Sequence, residues 1–98
     1  MNIPVIKIET DVIANWDSFH DFFVRSFNFP DYYGRNMNAW IDCISDHTAP
    51  FVLQLDNAAS FRARCPEQYA AIVECSSFVN WRNVESGFEP LIYLAFSD

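Results

Sequence analysis

Glycine is nearly missing from this 98-residue chain: there are two, Gly34 and Gly87. Phosphate-cradling loops and dinucleotide fingerprints need several glycines in one turn, so both nucleotide-binding devices are excluded. Basic residues are scarce as well. Six Lys+Arg stand against 13 Asp+Glu, a formal net charge of −7, and only Arg62 and Arg64 sit close together. Binding to nucleic-acid backbones needs clustered cations to replace counterions. Anionic membrane surfaces make the same demand. Neither partner suits this chain. The longest apolar run, Leu91–Phe96, is far too short to cross a bilayer. The first ten residues carry one lysine and no secretory apolar segment. Cys43, Cys65 and Cys75 are odd in number and not spaced as a disulfide framework. The expectation is a cytoplasmic protein with reduced thiols.

What is abundant is aromatic: 10 Phe, 4 Tyr and 3 Trp within a chain that is 51% hydrophobic. Large rings help a domain of this size reach a stable core. Residues 1–98 read as one domain, without repeats, linkers or low-complexity segments. The acidic balance points to a basic partner reached by electrostatic steering.

Val5–Ile8 alternates after Pro4 and reads as a first strand. Asn15 is placed to cap a helix over Trp16–Phe27, with Asp17 in its first turn and Trp16, Phe19, Phe23 and Phe27 on its apolar face. Asp17, Asp21 and Arg25 form a solvated face. Pro30 ends that helix, and the loop through Asn36 follows, where Gly34 is expected to adopt a backbone conformation other residues resist. Asn36 caps a short second helix, with Met37, Trp40, Ile41 and Ile44 on one stripe and Asn38, Asp42, Ser45 and Asp46 on the other. After Pro50, Phe51–Leu55 reads as a strand. Asp56 is placed to cap a turn or so of helix through Asn57–Arg64. Pro66 opens a third helix with Tyr69, Ile72, Cys75 and Val79 inward, ending somewhere between Phe78 and Glu85 with Gly87 as its terminator. Leu91–Phe96 reads as a buried strand. The order β-α-α-β-α-β implies an α/β fold, a small three-stranded parallel sheet packed with helices.

Chemistry-bearing combinations are few. Cys43 and His47 have zinc-ligand spacing, but two ligands do not make a site, and they read as core cysteine and surface histidine. Cys65 or Cys75 with His20 or His47 could form a thiol–imidazole dyad only if the fold brought them together; a buried thiol is the ordinary reading. Asp42 and Asp46 lie one turn apart. As an acid/base or magnesium pair they lack a phosphate loop to work with, so they read as a recognition surface. No cofactor and no metal are expected, and no enzymatic activity.

The segment Phe29-Pro30-Asp31-Tyr32-Tyr33-Gly34-Arg35-Asn36-Met37-Asn38-Ala39-Trp40-Ile41-Asp42-Cys43-Ile44 resembles the signature of the barstar family, intracellular inhibitors of basic microbial ribonucleases. The family pattern is an apolar residue, Pro, an acid, Tyr-Tyr-Gly, any residue, Asn, an apolar residue, Asp, Ala, two large apolar residues, Asp, Cys and an aliphatic. Three departures stand in this chain: Asn38 replaces an aspartate, Ile41 stands where an aromatic is common, and Arg35 adds a cation to the loop. The family also has an acidic contact on the third helix; Glu74 is charged there, but the resemblance does not place that contact on a residue of this chain.

The resemblance implies the fold already read from the element order. It also implies an immunity-type inhibitor of a basic extracellular-type ribonuclease or related toxin nuclease. Its contact surface would be Tyr32, Gly34, Asn36, Met37, Asn38, Ile41, Asp42 and Asp46. Asp42 would occupy a phosphate position, Tyr32 would be the aromatic anchor, and Gly34 would allow close backbone approach. A different class uses the same surface: an adaptor for a non-nuclease protein, favoured by Asn38 and Arg35. An exposed Tyr32/Met37/Ile41 patch could also mediate self-association.

Overall fold

A computed structural model describes residues 2–98. Three strands, β1 (Val5–Glu9), β2 (Phe51–Asp56) and β3 (Ile92–Ser97), form one parallel sheet in the order β1-β2-β3. Four helices connect them: α1 (Trp16–Phe27), α2 (Met37–Ile44), α3 (Ala58–Arg64) and α4 (Pro66–Glu85). A single 3-10 turn, Thr10–Val12, follows β1. The expected order β-α-α-β-α-β holds with the short turn of helix after the second strand formed as α3, so that the elements written out in full run β-α-α-β-α-α-β.

The central strand shows why the sheet is one-sided. Phe51, Leu53 and Leu55 are buried while Val52, Gln54 and Asp56 are only half-buried. Register places Val5 beside Val52 beside Tyr93, so these three share the uncovered face. The helices pack on the other face, over a core that includes Ile8, Phe19, Phe23, Trp40, Phe61, Ile72 and Val79. This corrects the reading of Leu91–Phe96 as a buried strand. Leu91 and Ile92 are buried, but Tyr93, on the uncovered face, is 41% exposed, and Phe96, on the covered face beside Leu55 near the strand's end, is 50% exposed. An apolar run signals a strand buried on both faces only when helices cover both faces; here β3 is an edge strand covered on one.

The helix starts follow local chemistry. Asn15 Oδ1 accepts from the Ser18 amide at 2.9 Å while Ser18 Oγ accepts from the Asn15 amide, a reciprocal cap on α1. Asn36 Oδ1 accepts from the Ala39 amide at 2.8 Å and caps α2. Pro66 opens α4. At its far end Gly87, at φ +85°, lets the Gly87 and Phe88 amides turn back to Val84 and Asn83. Asp56 does not cap α3. It ends β2, and Asn57 turns the corner in the left-handed region at φ 54°. The free amide of Ala59 instead donates to the Asp98 carboxylate at 2.8 Å, a cap supplied from the last residue of the chain.

Candidate protein-binding site

The loop before α2 is built by alternation. Phe29 and Tyr33 are buried and their rings lie 4.8 Å apart, while Tyr32 between them is 83% exposed. A turn closed by the Tyr33 amide on the Pro30 carbonyl at 2.9 Å fixes this arrangement. Tyr33 is held further by its hydroxyl, 2.6 Å from His20 Nδ1 on α1. Burial pushes the Tyr33 phenol well above its ordinary range, with the nearby Cys43 adding and Arg35 opposing. Burial also lowers His20, helped by Arg35 and opposed by Asp17 and Asp21. Both groups are therefore neutral at neutral pH. His20 pairs with Tyr33, not with a cysteine.

Gly34 is not the left-handed residue of this loop; Arg35 is, at φ 54°. Gly34 serves space instead. A Cβ there would come within 3.3 Å of Asn36 Nδ2 and 3.5 Å of the Ala39 Cβ, against the start of α2. Arg35 turns back to α1. Its guanidinium meets Asp21 at 3.1 Å and Asp17 at 3.7 Å and donates to the Asp17 carbonyl at 3.0 Å. The face read as merely solvated thus holds the loop, and the cation of the loop is matched by two carboxylates.

On α2, Trp40 and Ile44 are fully buried and fix the helix on the core. Met37 and Ile41, from the same apolar stripe, are half-buried. Asn38, Asp42 and Asp46, spaced by four residues, are exposed. Among the described residues neither Asp42 nor Asp46 has a basic partner within salt-bridge distance. Both carboxylates raise the Cys43 thiol, after the larger effect of its burial. Tyr32, Gly34, Asn36 and Asn38 are likewise exposed. The outcome is a short helix that presents the unpaired carboxylate of Asp42, a second one, Asp46, in the turn past its end rather than on the helix itself, and a tyrosine held into solvent on the loop leading to it.

The other sequence candidates are dispersed. His47 is not a surface residue: it is half-buried, with its ring 5.3 Å from Phe27 and 5.6 Å from Phe51. Cys65 is buried with its thiol 3.5 Å from the Ile13 carbonyl, and all three cysteines are free. No group of three or more His, Cys, Asp or Glu among the described residues is placed to hold a metal ion. No helix among them is long and apolar enough to cross a membrane.

Sequence reasoning missed how α4 reaches α2. Arg82 Nη2 donates to Ser45 Oγ at 2.9 Å. A cleft of about 580 Å³ beside this contact is lined by Ser45, His47, Asn83 and Glu89 among others. Glu74 does not line it; it lies eight residues, or about 12 Å of helix, before Arg82. Nothing local in the sequence signals the Arg82–Ser45 bond, because the two residues lie in different helices.

The profile described as Barstar (barnase inhibitor) matches residues 3–94. No curated protein matches the chain. That match takes in all four helices, β1, β2 and the first half of β3, together with the segment that presents Tyr32, Asp42 and Asp46, and on this ground the chain belongs to the Barstar (barnase inhibitor) family.

Proposed function

We propose that this protein inhibits a basic ribonuclease or related toxin nuclease by inserting α2 and the preceding loop into its active site. The observation that carries the reading is the pair of exposed, unpaired carboxylates Asp42, on a helix seated by fully buried Trp40 and Ile44, and Asp46, in the turn just past its end. A ribonuclease active site is concave and cationic because it binds phosphates. A carboxylate on a rigid helix fills a phosphate position without offering a scissile bond, and it makes charge-assisted bonds to arginine. Tyr32 supplies contact area at small entropic cost and excludes water from the ion pairs. The protein binds and blocks; it catalyses nothing and needs no cofactor. Such an inhibitor protects the cytoplasm of the cell that makes the nuclease.

A second reading is an adaptor for a non-nuclease protein. Asn38 favours it, since the exposed face of α2 lacks the carboxylate that the family pattern has there. Arg35 does not count toward it, because its charge is paired with Asp21 and Asp17 on α1.

The test is a titration of the purified chain into a basic, barnase-type ribonuclease with RNA cleavage followed by fluorescence. Stoichiometric inhibition that Asp42→Ala abolishes is expected. A stable complex in which the nuclease stays active selects the adaptor. Full inhibition by Asp42→Ala overturns the proposed site.

A further inference from the structure

The two edges of the sheet are built differently. β1 follows Pro4 and carries two exposed charges, Lys7 and Glu9. Charge and proline are the usual devices that keep an edge strand from pairing with another chain. β3 has neither: Ile-Tyr-Leu-Ala-Phe-Ser holds no charge and no proline along its length.

The ladder shows which backbone groups of β3 remain free. The Phe51 amide donates to the Leu91 carbonyl, and Phe51 lies beside Ile92. In a parallel pair this directs the amides and carbonyls of Tyr93 and Ala95 toward β2, and turns those of Ile92, Leu94 and Phe96 outward. Asn80 closes the first of these, accepting from the Ile92 amide and donating to the Ile92 carbonyl. Among the described residues nothing pairs with the outward groups of Leu94 and Phe96, and β2 is the one strand beside β3.

We propose that this edge pairs antiparallel with the β3 edge of a second copy, on a twofold axis through Ala95, to give one continuous sheet. Register argues for a second copy. Residues opposite each other in an antiparallel ladder exchange both of their hydrogen bonds. An axis through Ala95 sets Leu94 opposite Phe96 of the other copy, so every free group on both strands finds a partner. An axis through Leu94 would set Phe96 against Ile92, which Asn80 already holds. An axis through Phe96 would set Leu94 against Asp98, beyond the strand. Sterics agree, because the close approach at the axis falls on the small Ala95 side chains.

Charge argues the same way. A basic partner would meet no carboxylate along β3, whereas two copies of an uncharged strand meet without opposing like charges, despite the −7 of each chain. Arg62 also lies over the Tyr69 ring, itself 5.8 Å from Phe96, and places a cation near the edge. A strand edge supplies less than the about 800 Å² per partner of a stable interface, so the dimer is weak and concentration-dependent. The edge shares no residue with Tyr32, Asp42 and Asp46, and the inference does not rest on the inhibitory reading.

The experiment is sedimentation velocity of the full chain and of Ala95→Lys from about 5 to 500 μM, a range suited to weak interfaces, with hydrogen exchange at both extremes. The wild-type chain is expected to pass from monomer to dimer, with the Leu94 and Phe96 amides gaining protection. Ala95→Lys sets two ammonium groups against each other and should weaken association by at least about tenfold. Ala95→Cys treated with diamide should form a covalent dimer, since opposed residues at such an axis lie within disulfide reach. The wild-type chain, with Cys43, Cys65 and Cys75, serves as the control. A wild-type monomer throughout overturns the inference. So does a dimer that Ala95→Lys leaves intact, which belongs to another surface such as Tyr32, Met37 and Ile41. Protection of Leu94 and Phe96 only in complex with a basic ribonuclease also overturns it, by giving the edge to a strand of that partner. If Ala95→Lys does not fold, Ala95→Cys decides: cross-linking beyond the wild-type level supports the inference, and an equal yield overturns it.

Discussion

His20 on α1 and Tyr33 in the loop before α2 are joined through a 2.6 Å contact between imidazole Nδ1 and phenol, with both side chains buried. The contact crosses 13 residues of chain and fixes the loop on α1 from inside, while Arg35 fixes it from outside. Tyr32 can stand in solvent only because its neighbour is tied down. Tyr33→Phe leaves His20 Nδ1 buried without that partner. The expected cost is about 1–3 kcal/mol of folding stability, measured by urea denaturation. An unchanged midpoint would show that the bond adds nothing to the loop.

The same pair makes stability depend on pH in a definite direction. The folded pKa of His20 lies below its ordinary 6.5, chiefly through burial and then through Arg35, with Asp17 and Asp21 partly offsetting. Above 6.5 the ring is neutral in both states and there is no penalty. As pH falls below that value the unfolded chain takes up a proton that the folded chain resists. Stability then declines until the folded pKa is passed. Urea midpoints between about pH 7 and 5.5 should fall, and His20→Gln should flatten that slope. An equal slope in both proteins would assign the effect to other groups.

Arg35 should matter little to folding. Its pairs with Asp17 and Asp21 are exposed, and such pairs contribute about 0–1 kcal/mol. Arg35→Ala should therefore lower the thermal midpoint only slightly in the absence of added salt, and by less still at about 0.5 M salt, where screening is strong. A large, salt-independent loss would assign the role to the Arg35 hydrogen bond on the Asp17 carbonyl and to the packing of its stem rather than to its ion pairs.

Asn80 is the polar hinge between α4 and β3. Its Oδ1 accepts from the Leu91 and Ile92 amides at 2.9 Å each, and its Nδ2 donates to the Ile92 carbonyl at 2.8 Å. Asn80→Ala removes all three bonds at once. The expected destabilisation is about 2–4 kcal/mol by chemical denaturation, taken from the usual cost of leaving buried polar groups unpaired. Hydrogen exchange should localise the loosening to β3.

Binding led by Asp42 and steered by a charge of −7 should slow steeply with salt. Stopped-flow association with a basic ribonuclease is expected to fall by about tenfold or more between 0.05 and 0.5 M salt, while dissociation changes less. Asp42→Ala should cost at least about 2 kcal/mol, the general threshold of an interface hot spot, on a scale whose upper end is already set by this family's own complex with its nuclease. Salt-independent association would remove steering from the account.

Much of the fold is legible in the sequence because its signals are local. Asn15 and Asn36 mark helix starts, Pro66 another, and Gly87 an end, since each acts on backbone groups within a few residues. The spacing of Phe19, Phe23 and Phe27 states which face of α1 is inside. The loop with α2 carries the resemblance to the family whose model the chain matches. Other features belong to the tertiary structure. Asp98 caps α3, Asn80 holds β3, Arg35 pairs with α1 and Arg82 reaches α2, each across elements that the chain brings together only on folding. The exposure of Tyr93 depends on which face of the sheet the helices cover. Periodicity reports one element's own faces; what those faces meet is set by packing between elements, and that is where the contact between α2 and α4 was decided.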